Sequence, residues 1–129
     1  MNTLDNPFLE QLGATLASWE DGRARIALEI GDRHLNRQGT LQGGVMATLL
    51  DAACGYAGIH PDGDNARRQA VTLTLSISYL DKCSRGTVIA EGIVERAGRS
   101  VYFSRGELVV DGERPLATAQ GVFKYTRAG

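Results

Sequence analysis

The sequence is short of several things, and each shortage removes a class of function. Positive charge is not in excess, since 14 Lys and Arg stand against 15 Asp and Glu for a net charge of −1. A nucleic-acid partner would need a basic face, so none is expected, and any anion site must be local. No apolar run approaches the roughly 18 residues of a membrane span, so no membrane partner is expected either. The two cysteines, Cys54 and Cys83, and the two histidines, His34 and His60, make no metal or redox spacing. No metal or bound cofactor is therefore expected. Nothing at the N-terminus resembles a secretion signal, and two reduced thiols fit a cytoplasmic protein. Proline is scarce, at 3 residues, while glycine reaches 16. That balance suits tight strand-to-strand turns rather than a linker. The 129 residues suit one domain, 1–129, with one core.

Along the chain, LDNPFLEQL (4–12) reads as a short helix, with Asn6 as N-cap and Pro7 at the first helical position. ATLASWE and RARIALEI alternate around Glu20-Asp21-Gly22-Arg23, a β-hairpin pattern. GDRHLNRQGTL (31–41) reads as a loop. From Gly43 the period changes: Val45, Met46, Leu49, Leu50, Ala52, Ala53 and Cys54 make a helix apolar nearly all round, hence buried. It should end near Gly55 to Gly58, with glycine as a C-cap. HPDGDNARR is a polar loop. Four strands follow, beginning with AVTLTLSISYL. Its alternation puts Val71, Leu73, Leu75, Ile77 and Tyr79 on one face and Thr72, Thr74, Ser76 and Ser78 on the other. Turns fall at Ala97-Gly98-Arg99 and Asp111-Gly112-Glu113. This order predicts an α+β fold, an antiparallel sheet wrapped around one central helix. Such a sheet leaves a face uncovered and long edges bare. At least a dimer is expected, joined edge to edge with the buried helices near the seam.

Asp51 is the odd residue in that buried helix. An unpaired carboxylate in apolar surroundings is costly, and the cost is tolerated most readily where the acid has a task. Taken alone, Asp51 could also be an exposed or structural acid. Gly43-Gly44 stands where loop becomes helix. By itself the pair reads as a tight turn, yet the first amides of a helix have no internal partner and point outward. Glycine lets a carbonyl oxygen approach them closely. The two features cannot meet in one chain, because eight helical residues separate them by about 12 Å. They can cooperate only if a second subunit brings its own Asp51 alongside.

HLNRQGTLQGGVMATLLDAACGYA (34–57) and the order of elements resemble the hotdog-fold acyl-CoA thioesterases. The closest group is the PaaI-like one, related to the 4-hydroxybenzoyl-CoA thioesterases. Its pattern runs H-x-N-x-x-G-x-x-H-G-G, then an Asp inside an apolar helix, then a strand of the V-T/S-x-x-L-x-x-x-Y-L kind. His34, Asn36, Gly39, Gly43, Gly44 and Asp51 fall in place, as do Val71, Thr72, Leu75, Tyr79 and Leu80. The resemblance implies hydrolysis of an acyl-CoA to free acid and CoA by a dimer or dimer of dimers. In it a Gly43 amide and Asn36 come from one subunit and Asp51 from the other, as nucleophile or general base. Thr72 could bond the carboxylate or the attacking water.

Two departures stand out. Gln42 replaces the usual His before Gly-Gly; it hydrogen-bonds but does not titrate, which suits orienting a neighbour. Leu80-Asp81-Lys82-Cys83 replaces the Leu-Arg-Pro of many relatives. Coenzyme A carries phosphates, and the candidates to meet them are Arg67, Arg68, Lys82 and Arg99 with Ser100. Gly98-Arg99-Ser100 resembles the family's Gly-Arg-Ser turn and ranks first. Gln42 and Gly44 belong to the substrate-binding set. Two other readings stay open: a non-catalytic acyl-CoA-binding hotdog protein, favoured by Gln42, and a hotdog dehydratase, for which His34 would have to serve.

Overall fold

The computed structural model describes residues 5–61 and 68–127. Helix α1 spans Pro7–Leu12, and the Asn6 side chain accepts the amides of Phe8 and Leu9 at 3.1 and 3.2 Å. This is the expected cap, closed at the other end by Gly13 at φ 85. The hairpin is β1 (Thr15–Glu20) and β2 (Arg23–Glu29). The expected loop is partly ordered: Asp32–His34 form a 3-10 turn, and Leu35 bridges Leu41. Helix α2 covers Gly43–Ala57, and β3 (Arg68–Tyr79), β4 (Thr87–Ala97), β5 (Val101–Val110) and β6 (Arg114–Arg127) follow. The expected polar loop over HPDGDNARR, with Arg67, falls largely on residues 62–67, outside those described. Arg68 opens β3.

All strands lie in one six-stranded antiparallel sheet, ordered β1-β2-β4-β5-β6-β3. The sheet wraps α2, whose Leu49, Leu50, Ala53, Cys54 and Ala57 are wholly buried. Helix and sheet approach closely at Gly92, where any β-carbon would run into the Ala53 backbone. Outward, away from α2, the sheet presents polar groups such as Ser76, Ser78, Glu91 and Arg105 around a shallow hollow.

Helix α2 ends where expected, with Gly58 as its C-cap residue in a right-handed conformation at φ −95. Glycine is required there because a β-carbon would overlap the Tyr102 ring. The last carbonyls of a helix lack the usual helical donor; the Gly58 and Ile59 amides reach Gly55 O and Tyr56 O at 3.2 Å, and side chains from the sheet add further donors. Ser104 donates to Cys54 O at 3.0 Å, Tyr102 to Gly55 O at 2.6 Å, Trp19 to Tyr56 O at 2.8 Å and Tyr125 to Gly58 O at 3.0 Å. The Gly22 amide takes Ala57 O at 3.0 Å.

One local expectation needs correction, and it concerns β3. Its register against β6 jumps between Thr72 and Thr74, so Leu73 is an extra residue. A bulge of this kind inverts which side later residues face. Thr72 pairs with buried Phe123, and Leu75, Ile77 and Tyr79 pair with Gly121, Ala119 and Ala117. Thr72 therefore shares the helix-facing side with Leu75, Ile77 and Tyr79. Val71 and Leu73 stay about half exposed, at 50% and 53%.

Candidate active site

The bulge decides what Asp51 meets. With Thr72 turned inward, its hydroxyl donates to Asp51 Oδ1 at 2.7 Å. The carboxylate is half-buried on α2 and opens onto a cleft of about 790 Å³ between α1, α2 and the start of β3. Phe8, Trp19, Tyr56 and Phe123 line it with their rings. Tyr56 ties the cleft wall to the N-terminal segment by donating to Asp5 Oδ1 at 2.8 Å; burial, then that bond, pushes its phenol up from the ordinary value. Cys54 lies just behind. Burial first, and the Asp51 charge second, push its thiol up to about 12, so at neutral pH it carries no nucleophilic thiolate.

The Gly43-Gly44 pair stands at the other end of the helix. Gln42 is the N-cap residue, but its side chain makes no capping bond. Its carbonyl takes the amides of Val45 and Met46 at 3.0 and 3.2 Å. Among the described residues, the Gly43 and Gly44 amides are left to face outward. Tyr79, at the end of β3, donates its hydroxyl to Gly43 O at 2.8 Å, and its ring lies 3.5 Å from where a Gly43 β-carbon would stand. The sequence placed Tyr79 inside a motif but gave it no task. A tyrosine on the helix-facing side of a strand that ends at a helix N-terminus was the available signal.

Asn36 sits in the tight loop before α2. Its Oδ1 accepts the amides of Gln38 and Thr40 at 2.9 and 3.1 Å, and its Nδ2 donates to Thr40 Oγ1 at 2.9 Å. The side chain shapes its own loop and keeps a second amide hydrogen for another acceptor. His34 is fully committed. Its Nδ1 accepts the Gly31 amide at 2.8 Å, which leaves Nε2 as the protonated nitrogen donating to Leu12 O at 2.7 Å. Buried at 3% exposure with both nitrogens used, it braces the loop against the end of α1. The His that a dehydratase would require is thus occupied.

The charged candidates separate by end. Leu41 N bonds Cys83 O at 2.8 Å, which sets Lys82 beside the glycine end of α2. Lys82 is exposed, and its carbonyl accepts from Arg114, which also pairs with Asp81 at 2.7 Å. Arg99 and Ser100 form the exposed β4–β5 turn, where Ser100 O accepts the Tyr125 amide at 2.9 Å. Tyr125 is two residues from Phe123, the partner of Thr72, so this turn belongs to the Asp51 end. One chain therefore holds its candidate groups at two ends of the sheet, about 30 Å apart by strand rise. Among the described residues no three His, Cys, Asp or Glu side chains are grouped to hold a metal ion. No helix among them is long and apolar enough to cross a membrane.

Comparison with known proteins identifies the family. A family model described as the thioesterase superfamily matches residues 38–117, from the Asn36 loop through α2 into β6. The chain is 31% identical over 132 residues to a protein of Halobacterium salinarum named as a candidate esterase, covering 95% of this chain and 87% of that one. Among solved structures, a conserved protein of Pseudomonas aeruginosa superposes with TM-score 0.86 at 29% identity over 94% of each chain. A mutant of the phenylacetic acid degradation protein PaaI of Thermus thermophilus does so with TM-score 0.81 at 28% identity, over 92% of this chain and 98% of that one. With its central helix wrapped by an antiparallel sheet, the chain belongs to the thioesterase superfamily, as a PaaI-like thioester hydrolase of the hotdog fold.

Proposed function

We propose that the chain, working as one domain over 1–129 in the cytoplasm, hydrolyses an acyl-CoA to a free acid and CoA, at a site shared between two subunits. One observation carries the reading. The Asp51–Thr72 pair and the uncapped Gly43 and Gly44 amides lie at different places along one helix, while β3 beside them is a sheet edge with a partner on one side only. An edge of this length invites pairing. If β3 pairs antiparallel with a second copy about its middle, the Thr72 row of one subunit comes beside the Tyr79 row of the other. Asp51 of each copy then faces the partner's glycine amides.

In that arrangement the thioester carbonyl oxygen accepts from the Gly43 and Gly44 amides, which is worth about 3–4 kcal/mol per donor in comparable sites. The leftover Asn36 hydrogen serves the carbonyl or the water. Asp51 either attacks the acyl carbon, forming a mixed anhydride that water then opens, or takes a proton from the attacking water. In both routes the C–S bond breaks, water supplies the hydroxyl of the acid, and its proton goes to the CoA thiolate. Thr72 holds the carboxylate in place. Lys82, Arg99 and Ser100 meet the CoA phosphates, Gln42 orients the oxyanion end, and no cofactor takes part.

The test is free-thiol release over a panel of short-chain, medium-chain and aryl CoA esters, followed by subunit mixing. Asp51→Ala should lose turnover by several orders of magnitude while the oligomer, checked by light scattering, persists. Inactive Asp51→Ala chains mixed with chains disabled at Asn36 should regain partial activity. No recovery in a verified mixed dimer would sink the shared site, and full activity of Asp51→Ala would remove the acid from the mechanism.

A further inference from the structure

We infer that Tyr79 is a positioning residue that sets and strengthens the Gly44 amide as an oxyanion donor, acting through the peptide group between Gly43 and Gly44. This rests on the thioesterase reading of the same site. The geometry is direct. The Tyr79 hydroxyl donates to Gly43 O at 2.8 Å. That oxygen and the Gly44 N–H belong to one planar unit, which is trans, since no peptide bond among the described residues is cis. In a trans peptide the two groups point in opposite directions, so holding the oxygen aims the hydrogen. A donor on the oxygen also polarises the unit and makes its N–H a stronger donor.

The need for such a clamp follows from the sequence. Two consecutive glycines are the loosest possible start to a helix, and Gln42 contributes no side-chain bond to steady them. Tyr79 supplies what the cap does not. A β-carbon on Gly43 would be 3.5 Å from Cε1, Cζ and the hydroxyl of the Tyr79 ring. A second brace continues the pattern one residue on, where Thr48 Oγ1 donates to Gly44 O at 2.9 Å. The strand that carries Tyr79 also carries Thr72, so β3 presents the acid's partner near its start and the amide's clamp at its end. Moving β3 would disturb both halves of the site together.

Tyr79→Phe keeps the ring and deletes the donor. In the full chain, with oligomer and Tm checked, kcat should fall about tenfold while KM and the shape of the pH profile stay as in the parent. The Gly44 amide proton, followed by NMR without substrate, should move upfield as its peptide loses polarisation. Placing 4-aminophenylalanine at position 79 restores a para donor and should return most of kcat and of the shift. An unmoved Gly44 proton, or a kcat within twofold of the parent, would overturn the inference. So would failure of the amino variant to recover, because the ring's packing and not its donor would then matter. If the parent itself releases no thiol from any ester, the thioesterase reading fails, and the Gly44 shift alone decides for or against the clamp.

Discussion

Gly43→Ala should separate stability from catalysis at one position. Gly43 is not among the glycines with positive φ, so alanine meets no backbone strain there. The added methyl would stand 3.5 Å from three atoms of Tyr79, an ordinary contact distance, so nothing must move to admit it. Replacing glycine by alanine gains up to about 1 kcal/mol in a helix interior and less in the first turn. For a chain of this size that corresponds to a rise in Tm of roughly 0–4 °C. The same methyl occupies the approach to the Gly43 amide. Losing one oxyanion donor costs about 10²–10³ in kcat, so turnover should fall about a hundredfold while the melt stays level or improves. Thiol release and a thermal melt on the same preparation measure both. A variant that keeps full kcat/KM would show that no carbonyl approaches this amide. One that melts many degrees lower would show that the packing against Tyr79 has been misread.

Other expectations follow from contacts already described. Thr72→Val keeps the shape of the side chain and deletes its 2.7 Å bond to Asp51; kcat should drop about tenfold with KM little changed, since a bond to a charged group is worth roughly 1.5–3 kcal/mol and this one is partly open to water. A parent-like kcat would leave Thr72 without a part. His34→Ala strands the Gly31 amide and Leu12 carbonyl; two lost partners in a buried spot should cost about 2–4 kcal/mol, seen as a lower urea midpoint, and an unchanged midpoint would refute the bracing role. For pH, burial raises the Cys54 thiol to about 12 from an ordinary 9.0. The folded state therefore favours the neutral form. The associated stability is complete below about pH 9 and is lost as pH rises toward 12, by up to about 1.4 kcal/mol per pH unit. Denaturant midpoints between pH 8 and 11 should show this fall, and Cys54→Ala should flatten part of it; an equal slope in the variant would argue against the thiol as its source.

What could be read from the residues was what local chemistry decides. Asn6 and Pro7 start α1 and Gly13 stops it because caps and turns depend on near neighbours. The β5–β6 turn forms at Asp111 and Gly112, both at positive φ, as an Asp-Gly pair in a hairpin should. The start of α2 at Gly43 followed from the change of period. What could not be read depended on partners distant in sequence. VTLTLSISY alternates without a break, so the extra residue at Leu73 leaves no trace until β6 is laid beside it. A glycine stop near Gly58 was legible, but not the reason for it, the ring of Tyr102, which arrives from another strand. Within the site, Asp51 was one of two partners considered for the Thr72 hydroxyl, although the face assigned to Thr72 pointed away from it. The two-ended layout of Lys82 and Arg99 needed the strand register.

The unequal ends of α2 bear on how occupancy can be detected. Side chains of Ser104, Tyr102, Trp19 and Tyr125 close one end permanently, while the glycine end lacks a cap of its own. An acyl carbonyl seated there would complete the helix. Binding would then be a step of secondary-structure formation as well as of recognition. Even an inert CoA thioether carrying a carbonyl should therefore register without turnover, as slower hydrogen exchange in the first turn of α2. At a hundred times its Kd it should also add about 2.7 kcal/mol to the stability of the fold.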